Sequence, residues 1–160
     1  MIMFNQPIVF VSENKNDFQT LSKGFAAVNF VNALIHCISC EDALDYLSGR
    51  GKYRFSARIM RPGIILVDTE AENGAAQNFP ALIKQHREFR DIPVILIVPP
   101  ETVPAGADSR RRRVTADCTM EKPVSFDGFV KSIQQLEHHS FEIVVLPNRE
   151  PDRYMDTCSK

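Results

Sequence analysis

The sequence lacks the long apolar stretches and the strong charge imbalance that mark several classes of protein. Within its 160 residues no apolar run approaches the roughly 20 residues that a membrane-spanning helix needs. The N-terminus has no charged-then-apolar pattern of the kind that signal peptides carry. A basic excess is also missing, because the formal net charge is -1 at pH 7 and nucleic-acid-binding domains usually carry a positive balance. We therefore expect one soluble, cytoplasmic domain that binds neither membranes nor nucleic acid.

Residues arranged to hold a metal or a redox centre are equally scarce. Cys37 and Cys40 form a C-x-x-C, but no second pair follows, as a structural zinc site would require. Cys37 and Cys118 lie in apolar, strand-like stretches, where a free thiol behaves as a small hydrophobe, and Cys158 stands alone near the end of the sequence. The histidines have no metal-ligand spacing and are interpreted as structural: His36, His86, His138 and His139.

What the sequence does contain is an alternation of buried strands and amphipathic helices. The five predicted strands are PIVFVSE from Pro7, NALIHCIS from Asn32, GIILVD at 63–68, PVILIV at 93–98 and DCTME at 117–121. Five helices are predicted between and after these strands. The first starts at Asp17 with its apolar face at Phe18, Leu21, Phe25 and Val28, the second spans 39–49, and the third spans 75–88 with Phe79, Leu82 and Ile83. The fourth is short, at 109–114, and the fifth starts at Ser125 with Phe126, Phe129, Ile133 and Leu136 on one face. This alternation predicts a doubly wound α/β domain with a parallel sheet.

Polar residues stand at the ends of three of these strands. Ser12 and Glu13 end the first strand, Asp68 ends the third, and Lys122 follows the fifth. In a flavodoxin-like (βα)5 sheet with strand order 2-1-3-4-5, the carboxyl ends of these strands form one ligand-binding edge. A carboxylate nucleophile, a second acid for Mg²⁺ and a lysine for phosphate together predict an aspartyl-phosphate site.

On these residues the chain resembles the receiver domains of two-component response regulators. The resemblance covers residues 7 to about 137, and its strongest stretch is ADCTMEKPVSFDGF at 116–129. The segments FRDIPVILIV and FEIVVLPN further resemble the response regulators that partner bacterial phytochromes. The resemblance implies a stand-alone, non-enzymatic signalling domain that receives phosphate on Asp68 from a sensor histidine kinase, and Lys122 would pair with that phosphate.

Several positions depart from the usual receiver pattern. Receivers typically end the first strand with two acids, whereas this chain has Ser12 and Glu13, so we expect weak Mg²⁺ binding or none. The hydroxyl residue that ends the fourth strand is replaced by Val98, and the aromatic three residues before the lysine is replaced by Thr119. The loop from Asp68 to Gly74 is short and lacks the usual proline. These departures predict an atypical receiver in which the usual switch is impaired.

The C-terminal part of the sequence leads to expectations about assembly. The domain should span 1–147, with an extended segment within 138–147, and the polar tail at 148–160 is expected to be mobile. The apolar stretch at 141–147 cannot join the middle of a complete sheet, so it would lie on the surface of its own domain or pair with another subunit. A homodimer built partly from this segment is the favoured prediction. The four adjacent arginines at 110–113 favour a solvated or protein-docking surface over a nucleic-acid site.

A flavodoxin-like enzyme or cofactor binder using the same strand-end crevice is the alternative. Such a protein needs a phosphate-binding loop, and neither G-x-G-x-x-G nor G-x-x-x-x-G-K occurs. The segment SENKND at 12–17 has acidic groups and no glycine, so it would repel an anionic cofactor. The receiver interpretation therefore leads.

Overall fold

Five parallel strands form one sheet in the computed structural model, which describes residues 6–54, 61–100 and 116–136. The strands are β1 (Ile8–Val11), β2 (Leu34–Cys37), β3 (Ile64–Asp68), β4 (Val94–Val98) and β5 (Cys118–Glu121). Their order is β2-β1-β3-β4-β5, with parallel pairing throughout. The predicted flavodoxin-like order is confirmed. The central strands β1, β3 and β4 are buried along their whole length, which explains their continuous apolar sequences.

Four α-helices lie within the described ranges, and side chains cap three of them. The helices are α1 (Lys15–Ala27), α2 (Cys40–Ser48), α3 (Phe79–Gln85) and α4 (Phe126–Gln134). Asn14, Ser39 and Ser125 each accept a hydrogen bond from the backbone of the helix that follows, and these contacts fix where α1, α2 and α4 begin. Two stretches of 3-10 helix, Gly51–Tyr53 and Ala71–Asn78, complete the described elements.

The helices cover both faces of the sheet. Because side chains alternate along a strand, Ile8 and Phe10 of β1 face α1 and α4, whereas Val9 and Val11 face α2 and α3. The first face is rich in aromatic contacts among Phe25, Phe30, Phe126 and Phe129. Burial on both faces makes the sheet a rigid support for the polar groups that follow its strands.

The third helix is shorter than its hydrophobic spacing predicts. The prediction of a helix over 75–88 is wrong at both ends, since the regular helix is α3, Phe79–Gln85. A 3-10 segment precedes it, and His86 already has an extended backbone. Leu82, which the spacing places in the core, is 38% exposed. Because a seven-residue helix buries only part of its apolar face, the spacing of Phe79, Leu82 and Ile83 was not enough to predict that Leu82 is buried.

Other expectations differ in their ends or lie outside the described residues. The first helix begins at Lys15 rather than Asp17, because Asn14 is its cap. The last helix is regular over Phe126–Gln134, and residues 137–139 of the predicted span lie outside the described ranges. The same holds for the short helix at 109–114, the arginines at 110–113, the segment at 141–147 and the tail at 148–160.

The close contact between α1 and α4 leads to a stability prediction. A Cβ added at Gly24 would lie 2.7 Å from Cβ of Phe126. Gly24→Ala is expected to lower the free energy of unfolding by about 1 kcal/mol, because overpacking costs ~1–3 kcal/mol and the helix gains ~0.5–1 kcal/mol from alanine. Urea unfolding measures the change. Ala26→Gly, at an exposed position of the same helix, calibrates the helix-propensity part, and a more stable Gly24→Ala protein would contradict the prediction.

Candidate functional site

A polar pocket opens where β1, β3 and β5 end. Its volume is about 350 Å³, and its lining residues are Glu13, Asn14, Asp68, Glu70, Ala71 and Lys122. The register of the sheet explains this gathering, since Asp68 is the last residue of β3 and lies beside Ile97 of β4. The backbone N–H of Lys122 donates to the carbonyl of Val98 at 2.8 Å, which fixes Lys122 at the same end of β5. The structure therefore brings Asp68, Lys122 and Glu13 to one pocket.

Asp68 is a buried carboxylate with three hydrogen-bond donors. Asp68 is only 3% exposed. Its Oδ2 accepts from the Ser12 hydroxyl at 3.1 Å and from the Lys122 ammonium at 3.1 Å. Its Oδ1 accepts from the backbone N–H of Glu70 at 3.0 Å. Oδ2 thus has both lone pairs engaged, whereas Oδ1 keeps one for another partner.

Lys122 contacts three carboxylates at once. Its Nζ lies 2.7 Å from Glu70 Oε1, 3.1 Å from Asp68 Oδ2 and 3.7 Å from Asp17 Oδ2. Burial lowers the pKa of Lys122, but the hydrogen bonds to Glu70 and Asp68 outweigh burial, and the pKa is raised overall. The ammonium is therefore charged at neutral pH and serves as the local counter-ion of these acids.

The backbone and the hydroxyl of Ser12 are both in contact with polar groups of neighbouring residues. Its backbone N–H donates to Cys37, its carbonyl lies 2.8 Å from Nε2 of His36, and its hydroxyl oxygen accepts from the N–H of Asn14 at 3.0 Å. The ring of His36 also stacks on Phe18, with 4.6 Å between ring centroids. His36 thus has the structural environment expected for it. Ser12 places a neutral hydroxyl on Asp68, where a second acid would have repelled the Asp68 carboxylate.

Glu13 reaches toward the loop that follows Asp68. Its Oε2 accepts from the backbone N–H of Glu72 at 3.1 Å. The Glu72 carboxylate in turn accepts from the backbone N–H of Cys40 at 3.0 Å. Residues Glu72, Asn73 and Gly74 all have positive φ angles of 54°, 57° and 92°, which brings the short loop back toward α3. The loop is short, as the sequence indicates, but its left-handed geometry was not predicted.

The chain was compared with known proteins through its sequence and its structure. No family model and no curated protein matches the chain. Among solved structures it is similar to the bacteriophytochrome response regulator RtBRR, with 22% identity, a TM-score of 0.72, and coverage of 98% of this chain and 94% of that one. The chain has the receiver fold of response regulators.

Two further structures with the receiver fold are similar to the chain. The Mn²⁺-bound form of response regulator Rcp1 is 23% identical, with a TM-score of 0.62 and coverage of 89% of this chain and 99% of that one. The phosphorylated cyanobacterial phytochrome response regulator RcpA is 19% identical, with a TM-score of 0.64 and coverage of 88% and 99%. These likenesses establish the fold of the chain.

Of the three predicted switch positions, Ser12, Val98 and Thr119, the last two lie on one face of the sheet in this receiver fold. Val98 ends β4, is 4% exposed and packs into the core beneath α2 and α3. Thr119 is the second residue of β5, lies beside Leu96 in the register and is partly buried. Val98 has no hydroxyl to donate to a group on Asp68, and Thr119 has no ring to move.

Sequence reasoning missed two acids that contact Lys122 and one residue that contacts Glu13 through its backbone. Asp17 approaches Lys122 from the first turn of α1, Glu70 approaches it from the loop, and Glu72 holds Glu13. Glu70 has a weak sequence signal, because it lies only two residues beyond Asp68. Asp17 and Glu72 have none, since their contacts depend on the entry angle of α1 and on left-handed residues. Among the described residues, no group of three His, Cys, Asp or Glu side chains is arranged to hold a metal ion.

Within the ranges that the structure describes, no helix is both long and apolar enough to cross a membrane.

Proposed function

We propose that this receiver-fold domain accepts a phosphoryl group on Asp68 from the phosphohistidine of a sensor histidine kinase, and that it acts through protein contacts. The supporting observation is the 3.1 Å contact between the Lys122 ammonium and Asp68 inside a polar pocket at the ends of the strands. The phytochrome response regulators among the similar structures favour a phytochrome-like kinase as the donor. One of those structures is phosphorylated, which agrees with phosphoryl chemistry in this fold.

In this proposal the attacking oxygen is Oδ1 of Asp68, which the hydrogen bonds around the carboxylate favour. Oδ1 retains a free lone pair and forms the bond to phosphorus, while the phosphorus–nitrogen bond of the phosphohistidine breaks and its electron pair returns to the imidazole. Oδ2 becomes the carbonyl oxygen of the acyl phosphate and keeps its contact with the Ser12 hydroxyl. Lys122 is then available for the phosphoryl oxygens, because one ammonium carries three donors.

The pocket offers few protein ligands to a divalent cation. Glu13 and Asp68 are the two carboxylates best placed to hold it, and their oxygens are the ligand type that Mg²⁺ prefers. When bound, the cation would neutralise negative charge on the transferring phosphoryl group. Both carboxylates already accept hydrogen bonds from Glu72, Ser12 and Lys122, so coordination competes with existing contacts.

The alternative of a flavodoxin-like cofactor binder is disfavoured by charge. Asp17, Asp68 and Glu70 contact the ammonium of Lys122, and Glu13 lines the same pocket. This acidic environment repels a phosphate-bearing cofactor that brings no cation of its own. Dimerisation through 141–147 and docking through 110–113 remain predictions, since both segments lie outside the described residues.

Phosphorylation of Asp68 is tested directly with a small phosphodonor. After incubation with acetyl phosphate and Mg²⁺, intact-mass analysis is expected to show one added phosphoryl group, and Phos-tag electrophoresis should show a retarded band. Asp68→Asn should remain unmodified under the same conditions. Equal labelling of the parent and of Asp68→Asn would contradict Asp68 as the acceptor.

Mg²⁺ binding is expected to be weak or undetectable by calorimetry. Mg²⁺ demands nearly octahedral geometry at ~2.0–2.1 Å, and Oε2 of Glu13 already accepts a hydrogen bond from the N–H of Glu72 that competes with coordination. Glu13→Ala should abolish whatever binding remains, whereas Glu41→Ala, an exposed acid on α2, should leave it unchanged. A sub-micromolar affinity in the parent would show that the pocket is better organised for the cation than these contacts indicate.

A further inference from the structure

Glu72 connects the Asp68 pocket to the first turn of α2. Its backbone N–H donates to Glu13 Oε2 at 3.1 Å, and its carboxylate accepts from the backbone N–H of Cys40 at 3.0 Å. Cys40 is the first residue of α2, and the first N–H groups of a helix have no acceptor within the helix. A residue of the loop after Asp68 therefore supplies an acceptor that α2 itself lacks.

The carboxylate of Glu72 is held in its charged form. Hydrogen bonds from the Cys40 side chain and from its backbone N–H lower the pKa of Glu72, although partial burial acts in the opposite direction. A negative charge is also favourable at the N-terminus of a helix, where the helix dipole is positive. The link between Glu72 and α2 is thus electrostatic as well as geometric.

The backbone on which Glu72 lies is in a sparsely populated conformation. Glu72 and Asn73 have φ angles of 54° and 57°, a region that residues other than glycine seldom occupy. Such conformations persist only where neighbouring contacts hold them in place. The bond from the backbone N–H of Glu72 to Glu13 is one such contact, so its loss allows the loop to relax.

We propose that Glu72 is a positioning residue through which occupancy of the Asp68 pocket reaches the first turn of α2. This inference rests on the proposed function, since it presumes a phosphoryl group on Asp68. Glu13 lines the same pocket and responds to the new charge there, either by turning toward a shared cation or by moving away from phosphoryl oxygens. In both cases Glu13 leaves the N–H of Glu72, the loop shifts, and the N–H of Cys40 loses its acceptor.

The coupling through Glu72 ends at the surface between α2 and α3, which differs from the β4–β5 surface that Val98 and Thr119 would control. A groove of about 410 Å³ lies beside this link, and Cys40, Glu72, Phe79 and Leu82 contribute to its walls. Movement of Glu72 changes the shape of this groove directly. The signal therefore arrives between α2 and α3, even though the positions that usually couple β4 to β5 lack their hydroxyl and ring.

Amide NMR with beryllofluoride and Mg²⁺, which mimic the phosphoryl group, tests the route. In the parent protein the amide resonances of Thr69, Lys122 and Cys40 are all expected to shift. In Glu72→Ala the Cys40 response should be lost while Thr69 and Lys122 still respond, because the pocket is intact and only its link to α2 has been removed. Glu41→Ala, which removes an exposed acid from the same turn of α2, should retain the Cys40 response.

The outcomes separate this inference from the proposed function. Shifts at Thr69 and Lys122 without one at Cys40 would overturn the role of Glu72 and leave phosphoryl acceptance standing. A Cys40 response that survives in Glu72→Ala would overturn the role of Glu72 as well. An absence of shifts at all three amides would overturn both proposals.

Discussion

Lys122→Met is expected to lower the free energy of unfolding by about 3 kcal/mol at pH 7, the lower end of the range for removing one partner of a buried ion pair. Asp68 is 3% exposed, and its Oδ2 would keep only the neutral Ser12 hydroxyl as a donor. Asp17 Oδ2 is also buried and accepts no hydrogen bond from the described part of the chain, so it depends on the charge of Lys122, 3.7 Å away. Denaturant unfolding with fixed salt measures the loss.

A double variant distinguishes the lost ion pair from lost packing. Asp68→Asn together with Lys122→Met should be more stable than Lys122→Met alone, because the uncompensated buried charge is removed. Lys23→Met, at an exposed position of α1, should change stability by less than about 0.5 kcal/mol. A Lys122→Met protein as stable as the parent would show that the three carboxylates do not depend on this ammonium.

The contribution of Lys122 should persist across neutral pH. Its pKa in the folded protein is raised above the ordinary value of 10.5, with the bonds to Glu70 and Asp68 outweighing burial. A base whose pKa rises on folding binds its proton more tightly in the folded state, so its stabilisation is complete below the ordinary pKa. The difference between parent and Lys122→Met should therefore be constant near pH 7 to 9 and shrink only as strongly alkaline pH deprotonates Lys122.

The central site is predictable because strand ends carry strong sequence signals. Asp68 ends an otherwise apolar strand and Lys122 directly follows the short strand β5, and the parallel order then places both at one edge of the sheet. The ammonium of Lys122 extends from β5 past β4 to Asp68, which is within the span of a lysine side chain. The strand-end positions and the strand order were the basis on which this pair was predicted.

The surroundings of that pair depend on geometry that residue patterns do not encode. Asp17 meets Lys122 because Asn14 caps α1 and starts the helix two residues earlier than its apolar spacing indicates. Glu72 meets Glu13 because residues 72–74 adopt left-handed conformations, which asparagine and glycine tolerate but a glutamate at position 72 seldom adopts. Contacts of this kind arise from tertiary structure, so sequence periodicity cannot predict them.

These contacts also bear on the prediction that the receiver is atypical. Ser12 replaces an acid but satisfies Asp68 with a hydroxyl, and Asp17 and Glu70 bring two other acids to Lys122. The pocket has therefore kept an acidic character while its charges approach from different elements. What it lacks is a hydroxyl at the end of β4 and a ring on β5, at Val98 and Thr119.

Restoring those two groups is expected to create a conformational response that the parent lacks. In Val98→Thr with Thr119→Tyr, the new hydroxyl can donate to a phosphoryl group on Asp68, and a hydrogen bond to a charged group contributes ~1.5–3 kcal/mol. Since each 1.4 kcal/mol is tenfold, this contact shifts a two-state equilibrium by about tenfold to a hundredfold. A ligand shifts an equilibrium only through contacts that differ between its states, and in the parent Val98 offers no such contact.

NMR shifts at residues 98–100 and 116–121, with and without beryllofluoride, measure this response. The parent should show little change there, and the double variant should show a large one. Val98→Thr alone should bind the mimic more tightly without moving β5. The new hydroxyl would turn toward the mimic and open a space behind it, and Thr119 has no ring to fill that space. Thr119→Tyr alone should not respond, since no hydroxyl on β4 contacts the phosphoryl group. A large response in the parent would show that a group other than the residue at 98 couples Asp68 to β5.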